Sequence, residues 1–181
     1  MTRIIAGALG GRRIETPKGD GTRPTSDRVR EALFSSLESE LGGFDGIRVL
    51  DLFAGSGALG LESLSRGATD AVFVESDARA AAVISRNIAT LGVVNGRVAR
   101  TTAARYLPSA PEGACGLVFI DPPYAMETAV VAELVTALRP ALAPEALIVV
   151  ERSTRDPFTW PADVDGVRHK KYGETTLWYG R

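Results

Sequence analysis

The sequence predicts an α/β protein built on a mostly parallel sheet with helices on both faces, and three observations carry that prediction. Between residues 48 and 151, short apolar runs alternate with segments of helical period. The runs are continuous rather than every-other-residue: Val49-Leu50, Ala71-Val72-Phe73-Val74, Leu117-Val118-Phe119-Ile120 and Leu147-Ile148-Val149-Val150. Strands covered on both faces have this composition. The chain then closes on two β-rich stretches, 167–172 and 175–180, joined at Gly173-Glu174, which form a hairpin rather than another strand–helix unit.

Taken in order, residues 3–7 and 12–16 are expected as short strands around the glycine turn Ala8-Leu9-Gly10-Gly11. A polar loop follows through Pro17, Gly19, Gly21 and Pro24. Thr25 or Ser26 then caps a helix with Val29, Leu33, Leu37 and Leu41 on one stripe, ended by Gly42-Gly43. Strands are expected at 48–52, 71–75, 97–101, 117–121 and 146–151. Helices are expected at about 57–66, 77–91 and 127–139, with Gly67 and Gly92 as stops. Two units result: a basic hairpin and loop over 1–24, and the α/β domain over 25–181.

The chain has 181 residues, 45% of them hydrophobic and 24% charged, which suits one soluble globular domain and excludes bulk disorder. No apolar run approaches a membrane span, and the N-terminus lacks a signal-peptide layout, so a cytoplasmic protein without a membrane partner is expected. With one cysteine, Cys115, and one histidine, His169, neither a disulfide nor a metal site is expected. Cys115 reads as a small buried residue, His169 in Arg168-His169-Lys170-Lys171 as part of a solvated basic edge, and Trp160 and Trp178 as packing residues. The net charge of −1 hides an asymmetry. Residues 1–30 hold seven Lys and Arg against three Asp and Glu, +4 in total, leaving −5 for the remainder. A basic face on an acidic body points to nucleic acid. Arg3, Arg12, Arg13, Lys18 and Arg28 are its candidate contacts.

Three motifs carry chemistry. Asp51-Leu52-Phe53-Ala54-Gly55-Ser56-Gly57-Ala58-Leu59-Gly60 follows the first core strand, where glycines let the backbone turn tightly beside a ligand. Gly55, Gly57 and Gly60 also satisfy a dinucleotide pattern, but Asp51 at the strand end suits a cationic amino-acid moiety better than a pyrophosphate. Glu75, in Val74-Glu75-Ser76-Asp77 at the next strand end, can accept both hydroxyls of an adenosine ribose; a solvated acid or a helix cap would look the same. Asp121-Pro122-Pro123-Tyr124 follows the fourth strand. Its prolines hold the chain extended and present the Pro122 carbonyl. Asp121 adds a second acceptor, and two acceptors can localise the lone pair of an exocyclic amine on a base. Tyr124 offers a ring for that base to stack on.

These segments resemble motifs I, II and IV of class I methyltransferases. Arg3-Ile4-Ile5-Ala6-Gly7, Gly11-Arg12 and Arg23-Pro24-Thr25-Ser26-Asp27-Arg28-Val29-Arg30-Glu31-Ala32-Leu33-Phe34 resemble the RsmD family of bacterial 16S rRNA (guanine-966-N2)-methyltransferases. The resemblance covers nearly the whole chain. It implies a Rossmann-like class I methyltransferase fold, a seven-stranded sheet of order 3-2-1-4-5-7-6 with the last strand antiparallel, extended by the N-terminal hairpin. It also implies S-adenosylmethionine as methyl donor, held by Asp51, Phe53, Ala54, Gly55, Gly57, Glu75, Ser76 and Asp121, with Arg23, Pro24 and Thr25 packing over it. Thr102-Ala103-Ala104 departs from the commoner pattern: it offers no carboxylate or Asn to the adenine, which leaves backbone contact at Ala103. Asp121, Pro122 and Tyr124 are the expected catalytic residues. The expected substrate is the N2 amine of a guanine in 16S rRNA, within an assembled or partly assembled 30S subunit, and the protein is expected to be a monomer. The alternatives are a DNA adenine-N6 methyltransferase, a catalytically silent RNA-binding module and, third, a nicotinamide-dependent oxidoreductase. The first needs a larger recognition region than the roughly 25 residues outside the core. The others leave Asp121-Pro122-Pro123-Tyr124 unexplained.

Overall fold

The computed structural model describes residues 1–19 and 25–181. A two-stranded ribbon, β1 (Thr2–Arg3) and β2 (Arg13–Ile14), precedes α1 (Asp27–Leu41). Then follow β3 (Arg48–Asp51), α2 (Ala58–Ser65), β4 (Asp70–Val74), α3 (Ala78–Leu91), β5 (Gly96–Ala99), the short α4 (Ala103–Tyr106), β6 (Cys115–Ile120), α5 (Thr128–Leu138), β7 (Leu142–Ser153), β8 (Gly166–Tyr172) and β9 (Thr175–Gly180). The seven core strands lie in the order β5-β4-β3-β6-β7-β9-β8. Counted from β3, this is 3-2-1-4-5-7-6, the expected order, and β9 runs antiparallel to both neighbours.

Successive residues of the buried strands feed opposite layers, as the two-residue strand period requires. Val49, Phe73, Leu117, Phe119, Leu147 and Val149 pack with Leu33, Phe34 and Leu37 of α1, Leu61 of α2 and Ile84 of α3. Leu50, Val74, Val118, Ile120, Ile148 and Val150 pack with Val131, Leu134, Val135 and Leu138 of α5. Ser26 caps α1 by accepting from the Val29 amide, and left-handed Gly42 ends it.

The N-terminal strands are shorter than expected, two residues each instead of 3–7 and 12–16. Their amides are committed elsewhere. Ile5 and Ala6 donate to the Glu62 carboxylate of α2 at 2.7 and 3.0 Å, Ala8 to the Ser65 carbonyl at 2.7 Å and Leu9 to Ser65 Oγ at 2.9 Å. A Cβ on Gly7 would stand 1.9 Å from the Ser65 carbonyl oxygen, so only glycine permits this approach. Ile4 and Ile14 are fully buried in the α1–α3 layer, and the ribbon is thereby continuous with the main core.

Candidate active site

Parallel strands bring their carboxyl ends to one edge of the sheet, and β3 and β6 are the neighbours at which the strand order reverses. Four acids stand along that edge: Asp51 ending β3, Glu75 just past β4, Asp121 just past β6 and Glu151 near the end of β7.

Asp51 is 1% exposed, and neither carboxylate oxygen has a hydrogen-bond partner among the described residues. Burial, then the neighbouring Glu75, pushes its carboxyl up to about 7; the nearby Gly60 and Phe53 amides offset this only in part. A buried, unpartnered acid is costly, and a cation would relieve that cost. Phe53 is half-buried and Ala54 buried, its amide bonded to the Val74 carbonyl at 3.0 Å. Beyond them the loop turns through Gly55 and Gly57, both at positive φ. At Gly57 (φ 82°) a Cβ would also press Ile84 at 3.2 Å, so this turn can lie on α3 only with glycine.

Glu75 fixes that loop. One oxygen accepts the Gly55 amide at 2.8 Å and the other the Asp77 amide at 2.9 Å. Each carboxylate oxygen keeps a lone pair for a further donor. The cap of α3 is Asp77, which accepts from Ala80, so Glu75 is not the helix cap. Ser76 beside it is exposed.

Asp121 and Pro122 follow β6 immediately. No described residue donates to the Pro122 carbonyl, while the Pro123 carbonyl accepts the Met126 amide at 2.9 Å. Asp121 is half-buried, and its carboxyl lies well above the ordinary range because of burial, then Glu151, then Asp51, against a weaker opposing effect of Arg152. Tyr124 is 44% exposed, its hydroxyl 2.8 Å from Thr175 Oγ1.

Glu151 was not foreseen from the sequence. It is 8% exposed, and burial raises its carboxyl, opposed by hydrogen bonds from Thr25, Thr175 and Asp121. Thr25, expected over the cofactor, donates to Glu151 at 3.1 Å. Arg23 and Pro24 lie outside the described residues. Ala103 is buried at the first position of α4.

The basic residues divide. Arg3 is exposed but paired with Asp27 at 3.3 Å. Arg12 donates to the Thr90 carbonyl at the far end of α3, about 20 Å along that helix from the site edge. Arg13, Lys18 and Arg28 are exposed. Arg30, counted toward the basic face, is 2% exposed and ties Asp27 to the Arg3 carbonyl. His169 stacks on Trp178, with ring centroids 4.6 Å apart. Cys115 is buried, and no metal-binding cluster occurs among the described residues.

A family model described as "Conserved hypothetical protein 95" matches residues 2–181. The ribosomal RNA small subunit methyltransferase D of Escherichia coli K12 is 40% identical over 176 residues, spanning 95% of this chain and 85% of that protein. The chain belongs to the RsmD family. Solved structures agree with that membership. The yhhF protein of Escherichia coli superposes with a TM-score of 0.84 at 38% identity, covering 99% of this chain and 96% of that one. A hypothetical protein of Thermus thermophilus gives 0.83 at 31% identity, covering 99% and 98%.

Proposed function

We propose that this protein transfers a methyl group from S-adenosylmethionine to the exocyclic N2 amine of a guanine in 16S rRNA. The observation that carries the reading is the pairing, on adjacent strands, of an unpartnered buried carboxylate at Asp51 with two open acceptors at Asp121 and Pro122. The first fits the ammonium of an amino-acid moiety, and the second fits the two hydrogens of an amine.

When bound, S-adenosylmethionine supplies an electrophilic methyl group on a sulfonium. Asp51, together with the Gly55–Gly57 turn, would hold its amino-acid end, and the spare lone pairs of Glu75 its ribose. Phe53 and Ala54 line the same turn, and Ser76 and Ala103 flank the adenosine side. Toward the base, Asp121 and the Pro122 carbonyl take one amine hydrogen each. This draws the nitrogen lone pair out of conjugation with the ring and aims it along one direction. Tyr124, exposed at the mouth, offers its ring to a base swung out of its stack. Exposed Arg13, Lys18 and Arg28, with Arg3, would meet phosphates, and a small protein with so little additional surface would read the shape of the assembled or partly assembled 30S subunit. We further propose that it acts as a cytoplasmic monomer; no helix among the described residues is long and apolar enough to cross a membrane.

Radiolabelled methyl transfer to 30S subunits, naked 16S rRNA and DNA, followed by nucleoside analysis, tests this. Label in N2-methylguanosine from ribosomal substrate is expected. Label in N6-methyladenine of DNA, or no label in any substrate, overturns the reading.

A further inference from the structure

Glu151 is the one strand-end acid left without a task. On β7 it lies one residue past Val150, which pairs with Ile120, so parallel register sets it beside Asp121. Both acids line a gap of only about 10 Å³, walled by Leu33, Leu59, Phe119 and Leu177. The groups acting on Asp121 are Glu151, Asp51 and Arg152. Arg152 is turned away, its guanidinium bonded to the Met126 carbonyl, Thr128 and Asp156. Thr25 and Thr175 hydroxyls face Glu151, and Thr175 continues to the Tyr124 hydroxyl and solvent.

Two carboxyls in an apolar gap, with no cation between them among the described residues, cannot both ionise; they share one proton. The two threonine hydroxyls favour the anion on Glu151, which leaves the proton on Asp121, directed at Glu151. The outer oxygen of Asp121 then remains an uncharged acceptor for the amine.

Building on the proposed N-methylation, we infer that Glu151 is the terminal proton acceptor of the reaction, working through Asp121 as a two-carboxyl relay. When the nitrogen–methyl bond has formed and the sulfur–methyl bond has broken, its electron pair staying on sulfur in the departing S-adenosylhomocysteine, the nitrogen is cationic and still holds both hydrogens. One N–H bond breaks and its electron pair returns to nitrogen. That proton goes to the outer oxygen of Asp121 while the proton on the inner oxygen passes to Glu151. Asp121 ends with the one proton it began with, Glu151 ends neutral, and its proton leaves along Thr175 and Tyr124. Glu151 thus positions and discharges Asp121 without touching the base.

The test compares wild type, Glu151→Gln, Glu151→Asp and Asp121→Asn in single-turnover methyl transfer to 30S subunits from pH 5 to 9. S-adenosylmethionine affinity and the melting temperature of the ligand-free proteins are measured alongside. Glu151→Gln keeps an acceptor for both threonines but cannot take a proton. It should slow turnover at least tenfold at pH 8 with cofactor affinity within twofold. The ligand-free wild type should lose melting temperature as pH rises through ionisation of the pair, and Glu151→Gln should lose less. Glu151→Asp, again ionisable, should be at least threefold faster than Glu151→Gln. A Glu151→Gln rate within twofold of wild type, with Asp121→Asn inactive, overturns the relay and leaves the methylation reading standing. A Glu151→Asp no faster than Glu151→Gln also overturns it. An active Asp121→Asn overturns the relay as well, since Asn offers the amine an acceptor but passes no proton; a wild type that transfers no methyl to 30S subunits removes the methylation reading itself.

Discussion

Replacing Asp51 by Asn should stabilise the ligand-free protein at alkaline pH while removing its grip on the cofactor. The structure sets the size of the effect. A carboxyl moved by burial from 3.8 to about 7 binds its proton roughly three decades more tightly in the folded chain, or about 4 kcal/mol. Because Asp51 is 1% exposed, solvent screens little of this. The sign follows from the direction: the folded state holds the proton longer, so stability is lost as pH rises from about 4 to about 7 and is level above. Asn carries no charge and escapes that loss. Its unpaired amide costs the same at every pH, so the comparison between pH 4 and pH 8 isolates the carboxylate. The variant's advantage should grow by about 3–4 kcal/mol over that interval, or roughly 6–16 °C in melting temperature for a domain of this size. Scanning calorimetry of both proteins at the two pH values measures it. Cofactor affinity should fall at least tenfold, since a charged hydrogen bond is worth about 1.5–3 kcal/mol. An advantage that stays constant between pH 4 and pH 8 would refute the assignment of Asp51 as a buried, unpaired acid.

Glu75→Ala should weaken S-adenosylmethionine binding at least tenfold by calorimetric titration, because it removes the ribose acceptor and frees the Gly55 amide together; an unchanged dissociation constant would make Glu75 a loop anchor only. Replacing Arg3, Arg12 and Arg13 together should flatten the dependence of log affinity for 30S subunits on log salt by about two, at roughly 0.7–0.9 per phosphate, with cofactor affinity intact. Unchanged affinity and slope would leave the ribbon as a purely structural element. Gly7→Ala should cost at least about 1–3 kcal/mol in denaturant unfolding, since its Cβ meets a backbone oxygen that cannot give way; a neutral variant would show that the ribbon does not depend on its seat against Ser65.

Much of this was legible because the relevant physics is local. Continuous apolar runs marked the buried strands, and Ser26, Gly42 and Gly92 bounded their helices as a side-chain cap and left-handed stops do, whereas the cap of α3 is Asp77 and not Glu75. The extent of β1 and β2 was not legible: whether Ile5 and Ala6 pair with a strand or with Glu62 is decided by an acid 57 residues away from Ile5. Arg30 reads as surface charge until the ribbon closes over it. Glu151 was legible in principle. It ends the run Leu147-Ile148-Val149-Val150 as Asp51, Glu75 and Asp121 end theirs, but no flanking glycine or proline set it apart. Only the β6–β7 register shows that it neighbours Asp121.

Everything proposed for the reaction depends on Asp121 serving the acceptor amine and not the cofactor. Asp121→Ala, assayed for methyl transfer to 30S subunits and titrated with S-adenosylmethionine in parallel, separates the two roles. Abolished transfer with cofactor affinity changed little is the expected result. Near-normal transfer, or a loss of activity that simply follows a loss of cofactor binding, would contradict it.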